Sequence, residues 1–528
     1  MNKYSTLLIA GTVALGFASC RKDNTSGVTP ANEVETYASI RAAEVLSPLK
    51  AGVNGQTDVQ GVGAESRVTD GLFFVKDASY SVTGYTATGL GFEEKAEGYW
   101  QSPVFKYAGI SGQDLQSALV LNSPVPVLSG ADATSSFVIG QLSQLASVDK
   151  GFTMTSASSQ KIEIKPNIKE VEVEAGRNRF DYTVERVVSK VQVVKSDDFK
   201  ESLSGDLSDF RYSVAGSAKE VYAFRDHAGE RTLSADPKVG YKDYISLIGN
   251  ASVSAFDDQK QFATRRDLTR VSDGTDKNVV AKGAGEDWAV KHSLPMGIDP
   301  QYADASLDKG IYFLENSLPS SFVPTADNPY RYADITYVKV YAKYVPAEGE
   351  VFKLDGDRIV SATKEDVAQE RTENIAVRAS DGSEENRSFT YQSGSFFRAV
   401  QDGKLYLTLA AARQAGNTQT EFYDGGMMVW LTPANRQFDK DNTRLTVNVD
   451  TRRNNIYSIC VTSVSKLGYN YDPLDPTDPN IPKPENPDEP LKPQDIPVDE
   501  HDPAIRVSFK LLNWNLVERN VTMTIPLN

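Results

Sequence analysis

The sequence predicts a mostly β protein made of short antiparallel strands, and three observations indicate this class. Apolar and charged residues alternate with a period of two over 161–194, KIEIKPNIKEVEVEAGRNRFDYTVERVVSKVQVV, which is typical of strands with one buried face. The same pattern returns in GLFFVK, DITYVKVYAKYVP, KLYLTLAAA and GGMMVWLTP. Helical periodicity is scarce, and the one short helix predicted lies in SSFVIGQLSQLAS, where Val138, Leu142 and Leu145 share a face. Short strands with turn-rich connections favour β-sandwiches.

Three strands are expected within 161–194. Their apolar residues are Ile162 and Ile164 in the first strand, Val171 and Val173 in the second, and Phe180, Tyr182 and Val184 in the third. Charged or polar residues stand between these positions, so each strand should bury one face and expose the other.

Length and charge set limits on the function. A chain of 528 residues is long enough for two or three domains, each with its own buried core. The net charge is −15, because 71 acidic residues outnumber 56 basic ones. No basic surplus is left to neutralise phosphates, which argues against nucleic acid as a partner.

The first twenty residues, MNKYSTLLIAGTVALGFASC, predict an export signal. Lys3 precedes an apolar run over 7–18, which is shorter than the roughly 20 residues that a membrane-spanning helix needs. Cys20 directly follows small residues, as in a bacterial lipobox, so we expect cleavage before Cys20 and acylation of its sulfur. The alternative is an ordinary signal peptide with an incidental cysteine. The other cysteine, Cys460, is expected to be a small buried residue on a strand.

A candidate strand stands alone near the N-terminus. It lies at 37–49, YASIRAAEVLSPL, between a polar segment and the loop VNGQTDVQGVGAESRVTDG, which lacks apolar periodicity. Arg67 lies in that loop and should be accessible to a protease.

The C-terminal end of the chain combines a stiff spacer with strand-like segments. Ten prolines between Pro473 and Pro503 predict a polyproline II spacer, which could reach up to about 90 Å. In the segment that follows, IRVSFKLLNWNLVERNVTMTIPLN, the apolar residues fall into two strand-like halves. These residues are Ile505, Val507, Phe509 and Leu511, then Trp514, Val521 and Met523. Such a segment needs a groove, and two placements stay open: an edge strand on its own domain, or insertion into a neighbouring molecule.

Enzyme chemistry has little support in the sequence. The three histidines are His227, His292 and His501, and none belongs to an HExxH motif or a cysteine–histidine cluster. No nucleophile elbow or phosphate-binding glycine loop is present. We therefore predict a protein that is not an enzyme and that has no cofactor and no metal site.

Several segments resemble one known family. The end of the folded region, RNNIYSICVTSVSKLGYNYDPLDP at 453–476, carries the specific part of the likeness, together with the NPDEP that follows. YTVERVVSKVQV at 182–193, YFLEN at 312–316 and TYVKVYAKYVP at 336–346 add to it. On these segments the chain resembles the fimbrillins of Bacteroidales, the type V pilins, and among them the shaft subunits of the short (minor) fimbriae of Porphyromonas.

The resemblance implies two transthyretin-like β-sandwich domains, a proline-rich spacer and C-terminal donor strands. It also implies export as a lipoprotein, removal of the first strand by an arginine-specific protease, and filling of the resulting groove by the C-terminal segment of the next subunit. The family's cleavage arginine aligns with Lys50, whereas Arg67 is the nearest downstream arginine, so both stay candidates. Arg41 fits less well, because it lies within the strand itself.

The predicted organisation and partners follow from these points. The predicted segments are a signal peptide at 1–19, a propeptide at 20–67 with a possible cut at 50, sandwiches at 68–184 and 185–470, a spacer at 471–504 and donor strands at 505–528. The resemblance implies identical subunits, anchor and tip accessory proteins, the protease and host or bacterial surface receptors as partners, with a role in adhesion, colonisation, biofilm and virulence. The alternative is a membrane-anchored accessory, tip or anchor adhesin of the same superfamily.

Overall fold

The computed structural model describes residues 33–44, 65–76, 85–96, 98–125, 138–147, 150–156, 160–215, 220–224, 296–297, 310–316, 332, 335–378, 384–417, 420–438, 446–470 and 505–513. Strands dominate this part of the chain, which confirms the mostly β class. None of its helices is both long and apolar enough to cross a membrane.

The strands of the first half are short, apart from β1, β7, β14 and β15. They are β1 (Glu33–Glu44), β2 (Gly71–Lys76), β3 (Tyr85–Ala87), β4 (Glu93–Ala96), β5 (Tyr99–Gln101), β6 (Phe105–Ile110), β7 (Gly112–Leu121), β8 (Val138–Gln141), β9 (Ala146–Ser147), β10 (Gly151–Phe152), β11 (Met154–Ser156), β12 (Gln160–Ile164), β13 (Arg179–Arg186), β14 (Val188–Glu201), β15 (Asp206–Ala215) and β16 (Glu220–Tyr222).

The second half continues in the same style. Its strands are β17 (Met296–Gly297), β18 (Ile311–Leu314), β19 (Tyr337–Val345), β20 (Val351–Asp355), β21 (Arg358–Ser361), β22 (Arg371–Arg378), β23 (Glu384–Tyr391), β24 (Phe396–Ala399), β25 (Leu405–Tyr406), β26 (Thr420–Tyr423), β27 (Met427–Pro433), β28 (Gln437–Phe438), β29 (Thr446–Asn448), β30 (Asn455–Val464) and β31 (Ile505–Asn513). The helices of the described residues are α1 (Leu142–Leu145), α2 (Glu170–Glu174), α3 (Lys364–Ala368), α4 (Leu409–Gln414) and a 3-10 helix at Asp424–Gly426.

The N-terminal part of the described chain, called the first domain below, is built around one large sheet, which contributes side chains to two apolar clusters. The strand order is β3-β2-β7-β11-β13-β1-β5-β4, with β12 on β7 and β6 on β1. Most pairs are antiparallel, but β1 runs parallel to β13. The predicted alternation in β13 is confirmed, because Phe180, Tyr182 and Val184 are buried while Asp181 and Thr183 are exposed.

The part of the described chain from β14 onward, called the second domain below, contains a β-sandwich. One sheet has the order β18-β14-β30-β31 and the other β17-β15-β19-β27. Their inner faces share one core, to which β14 and β30 contribute Val193 and Ile459, and β19 and β27 contribute Val340 and Trp430. Cys460 is buried in β30, as predicted. A five-stranded sheet, β21-β20-β25-β24-β26, adjoins this sandwich.

The two domains meet at the end of β13. The chain passes from β13 to β14 through Val187, and a separate apolar cluster joins side chains from both halves, among them Phe74 and Ile456. Nearby, the guanidinium of Arg453 lies 2.6 Å from the carboxylate of Glu315, and both side chains are fully buried. Arg453 also donates to the carbonyl of Ala223, so this ion pair fixes the loop before β30.

One local prediction was wrong and two were only partly right. Val171 and Val173 lie in helix α2, because the Glu172 carboxylate accepts a hydrogen bond from the backbone N–H of Lys169 and closes a helical turn. The end of KLYLTLAAA is helix α4, which begins after Thr408, whose hydroxyl caps the N–H of Ala411. Only the second half of the helix predicted in SSFVIGQLSQLAS is helical, since its first half is β8, which pairs with β16.

Candidate functional site

The strand β1 occupies an interior position in the sheet of the first domain. It pairs with β13 on one side and with β6 and then β5 on the other, so both of its backbone edges are hydrogen-bonded. Its inward side chains Ala38, Ile40 and Ala42 are fully buried in the core of the domain. The predicted strand at 37–49 is therefore present, with bounds Glu33–Glu44.

Small side chains of β1 stand beside large aromatic ones on its neighbours. Ala38 is opposite Phe105 of β6, and Ala42 lies between Tyr182 of β13 and Trp100 of β5. Without β1, these aromatic side chains would border an apolar groove between β13 and the β5–β6 pair. We call this the β1 groove.

Burial also shapes the chemistry of the groove wall. The hydroxyl of Tyr182 lies 2.5 Å from the hydroxyl of Ser117, and burial raises the pKa of Tyr182 well above its usual range. The phenol therefore stays neutral and forms part of the apolar wall. On the outer face, the guanidinium of Arg41 pairs with Asp181, and this hydrogen bond raises the pKa of Arg41.

Polar contacts hold the N-terminal half of β1. The hydroxyl of Thr36 donates to the carbonyl of Lys165 at 3.0 Å and accepts from the N–H of Ile168 at 2.9 Å. The side-chain amide of Asn178 donates to the carbonyl of Tyr37 at 3.2 Å. These bonds join β1 to the loop that carries α2, so removal of β1 would also free that loop.

Arg67 is exposed and lies in an irregular segment just before β2. Its carbonyl accepts a hydrogen bond from Nδ2 of Asn122 at 2.6 Å, and Oδ1 of Asn122 accepts from the N–H of Thr69 at 2.8 Å. Gly151, which has a φ of +90°, packs against the same carbonyl. A Cβ at this position would lie 2.1 Å from the carbonyl oxygen of Arg67. The side chain of Arg67 is thus accessible while its peptide bond is held against the domain.

The segment upstream of Arg67 enters the domain junction. Glu65 is buried, and its carboxylate lies 2.8 Å from the ammonium of Lys190 in β14. The guanidinium of Arg186, at the end of β13, donates to the carbonyl of Glu65 at 2.7 Å. The 65–70 segment is therefore fixed on both sides of Arg67.

The C-terminal strand β31 pairs antiparallel with β30 at the edge of a sheet of its own domain. Phe509 stands opposite Ile459, and Val507 opposite Val461. Within one chain the segment takes the first of the two placements that the sequence left open, an edge strand on its own domain, and insertion into a neighbouring molecule stays a prediction. An edge strand has a partner on only one side, so fewer ladder hydrogen bonds hold it than hold β1.

Some of the predicted site residues lie in the described part of the chain, and others do not. Ile505, Val507, Phe509 and Leu511 lie in β31, and Arg67 lies before β2. Cys20, Lys50, Trp514, Val521 and Met523 lie outside the described residues, as do the signal peptide and the spacer. Sequence reasoning missed the walls of the β1 groove, because the pairing of β1 with β13 joins residues about 140 positions apart. It also missed Asn122 and Glu65, which carry no local signal beyond a turn and an acidic loop.

The described part of the chain offers no cluster of histidine, cysteine, aspartate and glutamate that could hold a metal ion. Its main feature is the β1 groove with β1 inside it. The groove is apolar, it has two backbone edges, and its present occupant ends upstream of an exposed arginine.

No family model matches the chain, and no curated protein matches it. Similar solved structures include a fimbrilin from Porphyromonas gingivalis, with 13% identity, 91% of this chain and 99% of that chain covered, and a TM-score of 0.38. The tip fimbrial protein Mfa3 from the same organism, with a C-terminal truncation, has 11% identity, 91% and 100% coverage and a TM-score of 0.31.

A fimbrial assembly protein from Parabacteroides distasonis has 8% identity, covers 71% of this chain and 99% of its own, and has a TM-score of 0.27. Because all three TM-scores are below 0.5, the function of this chain is inferred from its own residues. Other similar solved structures are described as putative cell adhesion proteins, from Parabacteroides distasonis and Bacteroides eggerthii.

Proposed function

We propose that this chain is the structural (shaft) subunit of a cell-surface fimbria, matured by proteolysis and polymerised by donor-strand exchange. The observation that carries the proposal is the position of β1. This strand completes the core of the first domain, yet the only covalent route from β1 to the rest of the domain passes the exposed Arg67. A cut in this connection would make an interior strand removable.

Loss of β1 would leave a site that only another strand can fill well. The facing edges of β13 and of the β5–β6 pair would lose their hydrogen-bond partners, and each unsatisfied buried group costs about 1 to 3 kcal/mol. The aromatic side chains that border the β1 groove would be exposed to water. A strand from a second copy satisfies both the backbone edges and the apolar walls.

The C-terminal segment suits this role by composition. With Phe509 in the place of Ile40, Val507 and Leu511 would take the places of Ala38 and Ala42. The donor would then bury about eight more carbon atoms than β1, worth roughly 6 kcal/mol at 0.8 kcal/mol per carbon before any strain. The walls must widen to accept them, and overpacking costs about 1 to 3 kcal/mol. The balance favours the donor over β1 as the occupant of the groove.

Release of β31 from its own domain is the other half of the exchange. As an edge strand, β31 has a partner on one side only, whereas in the β1 groove a strand gains partners on both sides. The proline-rich spacer that the sequence predicts, with an expected reach of up to about 90 Å, would let the segment cross to a neighbour without moving its own domain.

Two processing points stay in the proposal. A cut after Arg67 suits an arginine-specific protease and the exposure of that side chain, and a cut after Lys50 suits the alignment with the family. Either one separates β1 from β2. Before the cut, acylation at Cys20 would tether the precursor to the outer membrane.

The second candidate is an accessory, tip or anchor adhesin of the same superfamily that keeps its first strand. One observation favours it: β31 is already paired within its own domain. In either case the chain works as a binding and assembly protein rather than an enzyme. Its partners would be identical subunits, accessory fimbrial proteins, the protease and surface receptors.

Fibre formation separates the two candidates. When the whole chain is expressed, we expect the mature protein recovered from the cell surface to begin at Val68 or Ala51. Electron microscopy should show that this protein forms fibres. A chain truncated before Ala504 should stay folded and form none. Recovery of a monomer that keeps acylated Cys20 would favour the accessory role instead.

A further inference from the structure

Glu65 lies in a site that is built for a carboxylate. One of its oxygens accepts from the ammonium of Lys190 at 2.8 Å and from the hydroxyl of Tyr312. Lys190 and Tyr312 are cross-strand neighbours on β14 and β18, so both donors belong to the second domain. The side chain of Lys190 is fully buried, and its ammonium lies 5.3 Å from the centre of the Tyr312 ring.

Arg186, the last residue of β13, closes the site from the first domain. Its guanidinium donates to the carbonyl of Glu65 at 2.7 Å and to the hydroxyl of Ser66 at 3.3 Å. Its own N–H donates to Oδ1 of Asn454, the residue before β30. Two fully buried cations, Lys190 and Arg186, therefore converge on the segment that precedes Arg67.

We propose that Lys190 and Tyr312 form a carboxylate-binding site which, together with Arg186 on the backbone carbonyl of Glu65, holds the N-terminal piece through Glu65 after the chain is cut at Arg67. Cleavage then yields a nicked complex, and release of the piece needs this contact to open as well as β1 to leave the groove. The inference rests on the proposed function, because it assigns a role to the cut.

The burial of the ion pair between Glu65 and Lys190 favours retention of the N-terminal piece after the cut. Buried charges are stable only when they are paired, and removal of one partner of a buried pair leaves the other charge uncompensated. The cut breaks the Arg67–Val68 bond, which lies outside the pair, and so leaves the contact between Glu65 and Lys190 intact. The groove consequently stays closed until a partner or a fluctuation opens the junction, which limits premature exposure of the apolar walls.

The test measures how fast the N-terminal piece leaves nicked protein. The purified full-length precursor is cut with an arginine-specific protease, the cut after Arg67 is verified by mass, and release is followed by size-exclusion chromatography over a series of urea concentrations. We expect wild-type protein to retain the piece, and Glu65→Met to release it roughly 100-fold faster or more. Glu93→Met is the matched control, since Glu93 pairs with Lys95 on the exposed surface, and its release rate should equal that of the wild type.

A double-mutant cycle separates the pair from general destabilisation. Lys190→Met alone should also speed release, whereas Glu65→Met combined with Lys190→Met should recover most of the retention, because two apolar side chains replace the pair. In the uncut precursor, amide hydrogen exchange around Glu65 should rise in each single variant and fall back in the double variant.

Equal release from wild type and Glu65→Met, or additive effects in the cycle, would overturn the proposal. Fibre assembly is scored separately. A chain that retains and then releases the piece as expected, but forms no fibres after release, contradicts the shaft function and leaves the carboxylate site standing.

Discussion

Replacement of Ile40 by alanine should weaken the precursor and leave the assembled fibre unchanged. Ile40 is fully buried near the middle of β1, where its backbone pairs with Phe180 of β13 on one side and bonds to Ser102, between β5 and β6, on the other. The change removes three carbon atoms, worth about 2.4 kcal/mol by transfer, and the surrounding strands cannot collapse freely onto the cavity. We therefore expect the free energy of unfolding of the precursor to fall by about 3 kcal/mol, within the range of 2 to 5 kcal/mol for such substitutions.

The assay is urea unfolding followed by tryptophan fluorescence, to which Trp100 contributes from the strand beside Ala42. With a slope of about 2 kcal/mol per molar urea, the midpoint should fall by about 1.5 M. Val171→Ala is the control, because Val171 is 69% exposed in the same domain and its loss should cost less than about 0.5 kcal/mol. Fibres of the Ile40→Ala chain should match wild-type fibres, since β1 has left. An equal loss of stability in fibres, or none in the precursor, would refute the reasoning.

Three further predictions follow from single contacts. Asn122→Asp keeps the acceptor for the N–H of Thr69 but loses the donor to the Arg67 carbonyl. Cleavage after Arg67 should therefore be roughly 10-fold faster in a timed digest with an arginine-specific protease. An unchanged rate would show that this hydrogen bond does not protect the peptide bond. Glu315→Gln leaves the Arg453 guanidinium buried without its counter-charge, so the free energy of unfolding measured in urea should fall by about 3 kcal/mol. A loss of less than about 1 kcal/mol would contradict this expectation. Phe509→Asp should abolish fibres by electron microscopy while circular dichroism shows a folded monomer, and fibres from this variant would exclude the β31 segment as donor.

The class of fold could be predicted because alternation with a period of two is local. In β13 the residues Phe180, Tyr182 and Val184 alternate with exposed ones, and each position follows from its immediate neighbours. The same local rule failed at Val171 and Val173. There the carboxylate of Glu172 bonds to the backbone three residues earlier and converts an alternating pattern into a helical turn.

The candidate site was only half predictable. A lone strand followed by an exposed arginine is visible in the sequence, and so is the strand-like C-terminal segment. The walls of the β1 groove depend on pairings between β1 and strands that lie far along the chain, which no local pattern encodes. Glu65 likewise looks like one more acid in a polar loop, and only its burial against Lys190 distinguishes it.

Photo-crosslinking from Thr183 tests the central claim most directly. Thr183 lies on β13 opposite Ala43 of β1, and its side chain is exposed, so a photoreactive amino acid there should not disturb the core. Fibres are assembled from a mixture of isotopically light and heavy subunits, irradiated and analysed by mass spectrometry. The proposal predicts cross-links from position 183 of one copy to the 505–528 segment of another. Cross-links to β1 of the same copy would show that the first strand never left, and would contradict strand exchange.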